Sequence, residues 1–404
     1  MRRLQDARVL MYSHDTFGLG HLRRCRTIAH ALVDRYKSLN VLIVSGSQIA
    51  GAFDFKARVD FVKIPSVIKL YSGEYTSIGK HIDLDETLRM REALILETAR
   101  HFEPDMIIVD KEPLGLQGEM EAALVDARRR GVHTVLGLRD VMDDPTALRA
   151  EWRKKAVTEK LATLYEEIWI YGPEGFNDPL AGLDLPDHVL SRCHYTGFLH
   201  RDMPAGAPPV AHDLPRDYIL VTAGGGGDGY DVMNWVLSAR EYDRNLVFPL
   251  VLVPGPFMQQ GERDEIRRRA GNLSGIRVID FDNRMESILG NARAVVGMCG
   301  YNTFCECLSF DKPALFLPRT EPRLEQAIRA GRAEEMGWAQ LLGAERAARP
   351  AVMADALHAL PHRPRPSQSS HRVDLEGLRR VGDRVAAMLA RPDEGTVTPF
   401  RRRA

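Results

Sequence analysis

The sequence predicts a two-domain α/β protein, each domain built on a parallel sheet, with the two sheets facing each other across a cleft. Three observations predict it. Short apolar runs alternate with longer amphipathic ones almost from the first residue. The alternation stops between Gly197 and Pro215, a stretch rich in Pro, Gly and Ala with no periodicity, and then restarts. Strands separated by helices in this rhythm form β-α-β units around a buried parallel sheet, and the aperiodic stretch suits a connector. The expected division is residues 1–200, a linker at 201–216, a second domain at 217–360, and a closing segment at 361–404.

In the first domain, strands are expected at Val9 to Tyr12, Val41 to Ser45, Phe61 to Ile64, Asp105 to Val109, Thr134 to Leu138 and Glu167 to Tyr171. Helices are expected at Leu22 to Tyr36, Leu84 to Phe102, Gln117 to Arg130 and Thr146 to Tyr165. In the second of these, Leu88, Leu94, Ile95 and Ala99 are available for one face. The second domain offers strands at Tyr218 to Thr222, Phe248 to Val253, Ile276 to Ile279, Ala294 to Gly297 and Ala314 to Leu317. Its helices are expected at Tyr230 to Ala239, Arg263 to Ala270, Met285 to Asn291, Thr303 to Phe310 and Leu324 to Met336. A Pro/Ser-rich segment, Pro361 to Ser370, precedes a last helix near Leu375 to Leu389. In such sheets a ligand sits beyond the carboxyl ends of the strands.

The chain has 404 residues, with 44% apolar and 27% charged, which is globular usage. Lys plus Arg and Asp plus Glu both number 55, so no overall field calls for a nucleic acid. The basic ends, Arg2, Arg3 and Arg401 to Arg403, read as solvated tails. Cys25, Cys193, Cys299, Cys305 and Cys307 form no C-x-x-C and no paired framework. Cys305 and Cys307 stand too far from other ligands to read as a zinc site. No metal site and no cofactor are expected. The first residues are broken by charge, unlike a signal peptide, and no run reaches the ~18–20 apolar residues of a membrane span. The expectation is a cytoplasmic protein with at most peripheral membrane contact.

Four segments carry chemistry, all between a strand and the following helix. The first runs from His14 through Asp15, Gly18, Gly20 and His21 to Arg24. Glycines at such a junction let backbone N–H groups approach an oxyanion, and the helix N-terminus adds partial positive charge. His21, at the helix entrance, can face the cleft and titrate near neutral pH. The plain alternative is a glycine turn with a capping histidine. The second segment is Gly224-Gly225-Gly226-Gly227 at the corresponding place of the second domain. Four glycines cost backbone entropy, which is tolerated where a group such as a diphosphate packs on bare backbone. Neither segment is a P-loop, since no Lys-Ser/Thr follows. The third, Gly297 to Glu306, contains Gly300, Asn302 and Thr303. By spacing, Thr303 and Glu306 form a capping box, with ribose binding as the functional reading of Glu306. The fourth, Pro318 to Gln326, puts Arg319, Glu325 and Gln326 at a helix start, either holding sugar hydroxyls or simply solvated. Asp83 and Asp85 have D-x-D spacing but precede a helix, so a cap is expected there.

Together these segments resemble the GT-B glycosyltransferases of the family 28 type, related to the lipid-linked N-acetylglucosamine transferase of peptidoglycan synthesis and to a branch of predicted glycosyltransferases. The resemblance covers nearly the whole chain. It implies two Rossmann-like domains, a nucleotide-diphosphate sugar as donor, with a UDP-sugar favoured, and a lipid-linked or saccharide acceptor. It places the N-terminal loop histidine on His21 and the phosphate contacts on Gly224 to Gly227. The base-flanking aromatic falls on Phe281 beside Asp282, ribose binding on Glu306, and sugar binding on Gln326. The family often has two glutamines where this chain has Glu325-Gln326, which leaves the identity of the sugar open. The implied chemistry is transfer with inversion, without a required metal, the departing nucleotide stabilised by backbone amides and helix dipoles. His21 is the first choice for the base, with Asp15, Asp110 and Asp140 as alternatives; the last two end strands, where acidic residues often cap the next helix. The Gly18-to-Cys25 string is also similar to nucleotide-sugar hydrolases of the pseudaminic-acid pathway, in which the histidine activates water. A stretch around Ser66 to Leu84 offers room for an acceptor and tilts the reading toward transfer. A GT-B sugar epimerase and a catalytically silent nucleotide-sugar binder are the further alternatives. The segment Val67 to Ile78 reads as a loop with core anchors or as a contact for a lipid.

Overall fold

The computed structural model describes residues 6–14, 19–69, 75–77, 83–203, 214–225 and 227–390. Asp15, Gly18 and Gly226, the two basic ends and much of the Val67 to Ile78 segment lie outside the described residues. The N-terminal half contains β1 (Arg8–Ser13), α1 (Gly20–Arg35), β2 (Asn40–Ser45), β3 (Val59–Lys63), β4 (Val67–Lys69), β5 (Tyr75–Ser77), α2 (Leu84–Phe102), β6 (Met106–Asp110), α3 (Glu121–Arg129), β7 (His133–Arg139), α4 (Pro145–Lys154), α5 (Val157–Leu164), β8 (Glu167–Tyr171), α6 (Asp187–Leu190) and β9 (Cys193–Tyr195). The remainder contains β10 (Ile219–Thr222), α7 (Tyr230–Tyr242), β11 (Leu250–Val253), α8 (Gln260–Gly271), β12 (Ile276–Val278), α9 (Met285–Asn291), β13 (Ala294–Gly297), α10 (Tyr301–Ser309), β14 (Ala314–Phe316), α11 (Glu325–Glu335), β15 (Gln340–Leu341), α12 (Ala344–Ala347), α13 (Pro350–Ala359) and α14 (Gly377–Leu389).

Two parallel sheets organise the chain, in the orders β3-β2-β1-β6-β7-β8-β9 and β12-β11-β10-β13-β14-β15, with β4 and β5 as a separate antiparallel pair. Their central strands are covered on both faces and therefore read as unbroken apolar runs, such as Met-Ile-Ile-Val in β6 and Ile-Leu-Val in β10. In each sheet the strand order reverses beside the first strand: β1 lies between β2 and β6, and β10 between β11 and β13. Helices leaving in opposite directions at such a point open a crevice at the strands' carboxyl ends. One apolar core runs through both halves. Phe176 stacks on Trp338 with centroids 5.6 Å apart, and Phe198 meets Phe304 edge-on at 5.3 Å.

α14 returns to the N-terminal half. The Tyr36 hydroxyl donates to the Gly382 carbonyl at 2.9 Å, and Arg35 donates to that of Arg379 at 2.7 Å. The chain therefore crosses between the sheets twice. No helix among the described residues is long and apolar enough to cross a membrane.

Several local expectations need correction. α2 buries Thr87, Arg91, Ile95 and Ala99, while Leu94 faces solvent. Arg91 is accommodated because Glu119 takes its guanidinium with both oxygens, at 2.5 and 2.6 Å, replacing lost hydration with paired charge. The helix expected from Thr146 to Tyr165 is two, α4 and α5, broken at Ala156, whose φ is +49°. β9, β15, α12 and α13 are additional elements; Cys193–Tyr195 and Gln340–Leu341 are too short to show a period. Thr303 does not cap α10: Gly300 occupies the N-cap position and no side chain caps it, so the capping box is absent. Asp83 does cap α2, accepting from the Glu86 N–H at 2.7 Å.

A candidate active site between the two sheets

The crevices of the two sheets face a common cavity of about 780 Å³. From the N-terminal half, His14, Gly20, His21, Arg23, Arg24, Lys111 and Arg139 line it. From the other half come Gly224, Gly225, Gly227, Phe281, Asp282, Gly300, Asn302, Thr303, Glu306, Arg319, Glu325 and Gln326. Tyr75 of the β4–β5 hairpin also reaches it. Every expected binding residue among the described ones is thus brought to one space, whereas Asp110 and Asp140 stand behind its wall.

His21 sits in the first turn of α1, and its Nδ1 lies 2.5 Å from Oδ2 of Asp110, the last residue of β6. Arg24, one turn on, grips the same carboxylate with Nε at 2.7 Å and Nη2 at 2.6 Å. Arg24 Nη2 also lies 3.1 Å from His21 Nδ1, but both are donors when Nδ1 carries the proton that Asp110 accepts. The shorter contact to a carboxylate decides the tautomer, leaving Nε2 as the lone pair that faces the cavity. Arg24 and His21 hold Asp110 well below the usual carboxylate range despite its burial. Asp110 therefore caps no helix; it orients the imidazole and neutralises Arg24.

Asp140, after β7, is engaged likewise. Both its oxygens accept from Arg329 of α11, at 2.7 and 2.8 Å, and it is 1% exposed. Neither carboxylate presents a free oxygen to the cavity. The two arginines converge on the ring of Tyr301 at the start of α10, Arg24 at 5.5 Å and Arg329 at 5.7 Å from its centroid. The support of His21 thus spans both halves.

Burial lowers the pKa of His21 below 6.5, against the upward pull of Asp110, and lowers that of His14 well below it. Both rings are therefore neutral near pH 7, and the expectation that His21 titrates near neutrality shifts to more acidic pH. The unfolded chain takes up these protons near pH 6.5 and the folded protein only further down, so acidification favours unfolding. The unfolding free energy from urea titrations is expected to fall steadily from about pH 7 to about pH 5. A flat profile would mean that neither ring is held neutral by the fold.

In the second half, Gly224 has φ +62° and its N–H is held by Thr222 Oγ1 at 3.2 Å. The turn is backed by Gly255, at φ +92°, where a Cβ would lie 2.6 Å from the Gly224 carbonyl oxygen and 2.8 Å from that of Gly225. Neither backbone atom can rotate away. Gly255→Ala is expected to displace the glycine turn and destabilise the protein by roughly 1–3 kcal/mol, read by denaturant titration. Unchanged stability would show that the turn yields freely.

Glu306, in the second turn of α10, is 1% exposed and ion-paired with Arg23, which also contacts Glu286 at 3.1 Å. Phe281 packs edge-on against Phe53 of the other half at 6.2 Å, and Asp282 accepts from the Arg284 N–H at 2.7 Å. Asn302 donates to the Gly20 carbonyl at 3.0 Å and accepts from Arg201 at 2.9 Å. Gln326 accepts from the Arg319 backbone N–H at 3.2 Å. Glu325 ion-pairs with Arg139 of the opposite half and with Arg319 at 3.3 Å. Arg23 and Arg139 escaped the sequence reading because their partners lie on distant segments, and Lys111 because only the folded sheet brings the end of β6 to the cavity.

Residues 220–377 match the glycosyltransferase family 28 C-terminal domain. An uncharacterized glycosyltransferase of Methanosarcina acetivorans is 24% identical over 341 residues, covering 80% of this chain and 83% of the relative. Among solved structures, MurG from Acinetobacter baumannii superposes with a TM-score of 0.57 at 12% identity, covering 94% of this chain and 99% of that one. The UDP-GlcNAc 2-epimerase from Neisseria meningitidis bound to UDP-GlcNAc superposes with a TM-score of 0.54 at 13% identity, covering 95% and 99%. The two facing parallel-sheet units and these superpositions define the GT-B fold.

Proposed function

We propose that this chain, a GT-B protein of the family 28 glycosyltransferase type, moves a sugar from a nucleoside-diphosphate donor to an acceptor hydroxyl with inversion. Residues 1–200 carry the acceptor and the base, residues 217–360 carry the donor, and a UDP-sugar is the favoured donor. The observation that carries this reading is the imidazole of His21, fixed through Nδ1 by Asp110, opening on the same cavity as Gly224, Gly225 and Gly227. The bound UDP-GlcNAc of the Neisseria structure supports a nucleotide sugar as ligand of this architecture.

The donor diphosphate packs against the bare backbone of Gly225 and Gly227 and against the N-terminus of α10, where the peptide dipoles favour negative charge, while the Gly224 N–H stays on Thr222 and fixes the turn. Phe281 flanks the base, Glu306 accepts from the ribose hydroxyls, and Gln326 with Arg319 faces the sugar. His21 Nε2 takes the proton of the acceptor hydroxyl. The acceptor oxygen then bonds to the anomeric carbon from the face opposite the diphosphate. The carbon–oxygen bond to phosphate breaks, its electron pair departing on the nucleotide.

Glu306 must exchange Arg23 for ribose, and Arg23 keeps Glu286 when that happens. Glu306→Gln is expected to weaken nucleotide binding about 10- to 100-fold by calorimetry, since a carboxylate acceptor is worth roughly 1.5–3 kcal/mol. Equal affinity would remove the ribose role. A thermal-shift panel of UDP, GDP, TDP and CMP sugars tests the reading as a whole, because a bound nucleotide raises the melting temperature by mass action. Free sugar released at catalytic rates without any acceptor would make the protein a hydrolase instead.

A further inference from the structure

Two buried cations of the N-terminal half have no part in the reaction described above. Lys111 follows Asp110 at the end of β6, and Arg139 ends β7; each is 8% exposed, and both line the cavity. The charged partner of Lys111 among the described residues is Glu112, at 3.2 Å, and Glu112 is itself shared with Lys155 at 3.7 Å. Arg139 contacts Glu325 through Nη2, a carboxylate it shares with Arg319, while its buried Nε has no hydrogen-bond partner. Buried guanidinium groups normally use all their donors. Burial pushes the pKa of both cations down, so their charge is incompletely compensated by the protein.

Lys111 also has φ +68°, a left-handed backbone conformation that is costly for a residue with a side chain. Glycine would fit this turn without strain. Retaining lysine there, beside the His21–Asp110 pair, points to a use for its ammonium group.

We propose that Lys111 and Arg139 form a subsite for a carboxylate or phosphate group carried by the acceptor or by the donor's sugar. The inference rests on the glycosyl-transfer reading and adds to it a charge class for the substrate. Arg139 supplies a planar donor edge, with Nε free, for one face of the anion, and Lys111 supplies a point charge for another. Glu325 orients Arg139 rather than a sugar hydroxyl.

Calorimetry on the full-length protein separates the two sources. One arm compares UDP-glucuronate with UDP-glucose. The other titrates inorganic phosphate and acetate, at constant ionic strength, into protein saturated with UDP. The expected result is at least about tenfold tighter binding of UDP-glucuronate over UDP-glucose in the first arm, or saturable anion binding in the second. Lys111→Gly should abolish that preference and leave UDP affinity unchanged. Arg139→Gln should abolish it too. Absence of discrimination in both arms, with UDP bound normally, overturns the subsite. So does a parallel loss of UDP affinity in Lys111→Gly, which would place the lysine on the donor diphosphate. Failure of wild-type protein to bind any nucleoside diphosphate overturns the transfer reading itself, and the inference with it.

Discussion

His21→Ala is expected to lower turnover by a factor of ~10²–10⁴, the usual contribution of a positioned general base. The fall should appear in kcat, with nucleotide affinity unchanged, since Nε2 meets the acceptor proton and not the donor. The physical ground is the fixed tautomer. Asp110 accepts from Nδ1 at 2.5 Å and is itself clamped by Arg24, so the imidazole cannot rotate or flip without breaking a buried hydrogen bond to a charged acceptor. The rate should follow the neutral imidazole and persist below pH 6.5, because burial depresses the histidine's pKa. Steady-state kinetics on the donor found by the thermal-shift panel provides the measurement. A variant as active as wild type would leave the transfer without this base, and the acidic limb of the pH–rate profile would then have to come from another group.

Asp140→Ala should have its effect on stability instead. Arg329 is fully buried and donates to both Asp140 oxygens and, at 3.0 Å, to the Cys299 carbonyl. Removing the carboxylate leaves a guanidinium in a dry interior, which costs roughly 3–5 kcal/mol. Scanning calorimetry should register a drop in melting temperature on the order of 10 °C. Replacing both partners, as in Asp140→Leu with Arg329→Met, should recover much of the loss, because the isolated charge and not the missing contact dominates it. An Asp140→Ala protein that melts normally but fails in turnover would instead return Asp140 to the list of bases.

The sequence was most legible where one physical constraint acted alone. β1, β6, β10 and β13 have unbroken apolar centres because both their faces are covered, and those runs appear in the chain within a residue or two of where the strands form. The glycine turns stood out because a turn between strand and helix needs bare backbone, whereas the roles proposed for Glu306 and Gln326 came from the family resemblance. Where two constraints competed, local reading failed. Arg91 takes a core position in α2 because Glu119, from the segment after β6, is there to receive it. The same holds for Thr303 and Glu306: their spacing fits a cap, yet Glu306 is claimed by Arg23 from the far side of the cavity. The left-handed conformations of Lys111 and Cys299, each just past the strand beside its sheet's reversal point, have no counterpart in composition or period.

The two passages of the chain between the sheets run side by side. The Phe198 N–H donates to the Asp374 carbonyl at 2.9 Å, and that of Gly377 to the Phe198 carbonyl at 3.1 Å. Glycine at 377 is what lets them touch, since a Cβ there would lie 2.5 Å from the Gly197 carbonyl oxygen. Two tethers bonded together at one spot pin the halves to each other, because sliding apart or shearing there would tear both backbones from each other. Cutting the chain within 363–372 should release that constraint without touching a single residue that lines the cavity.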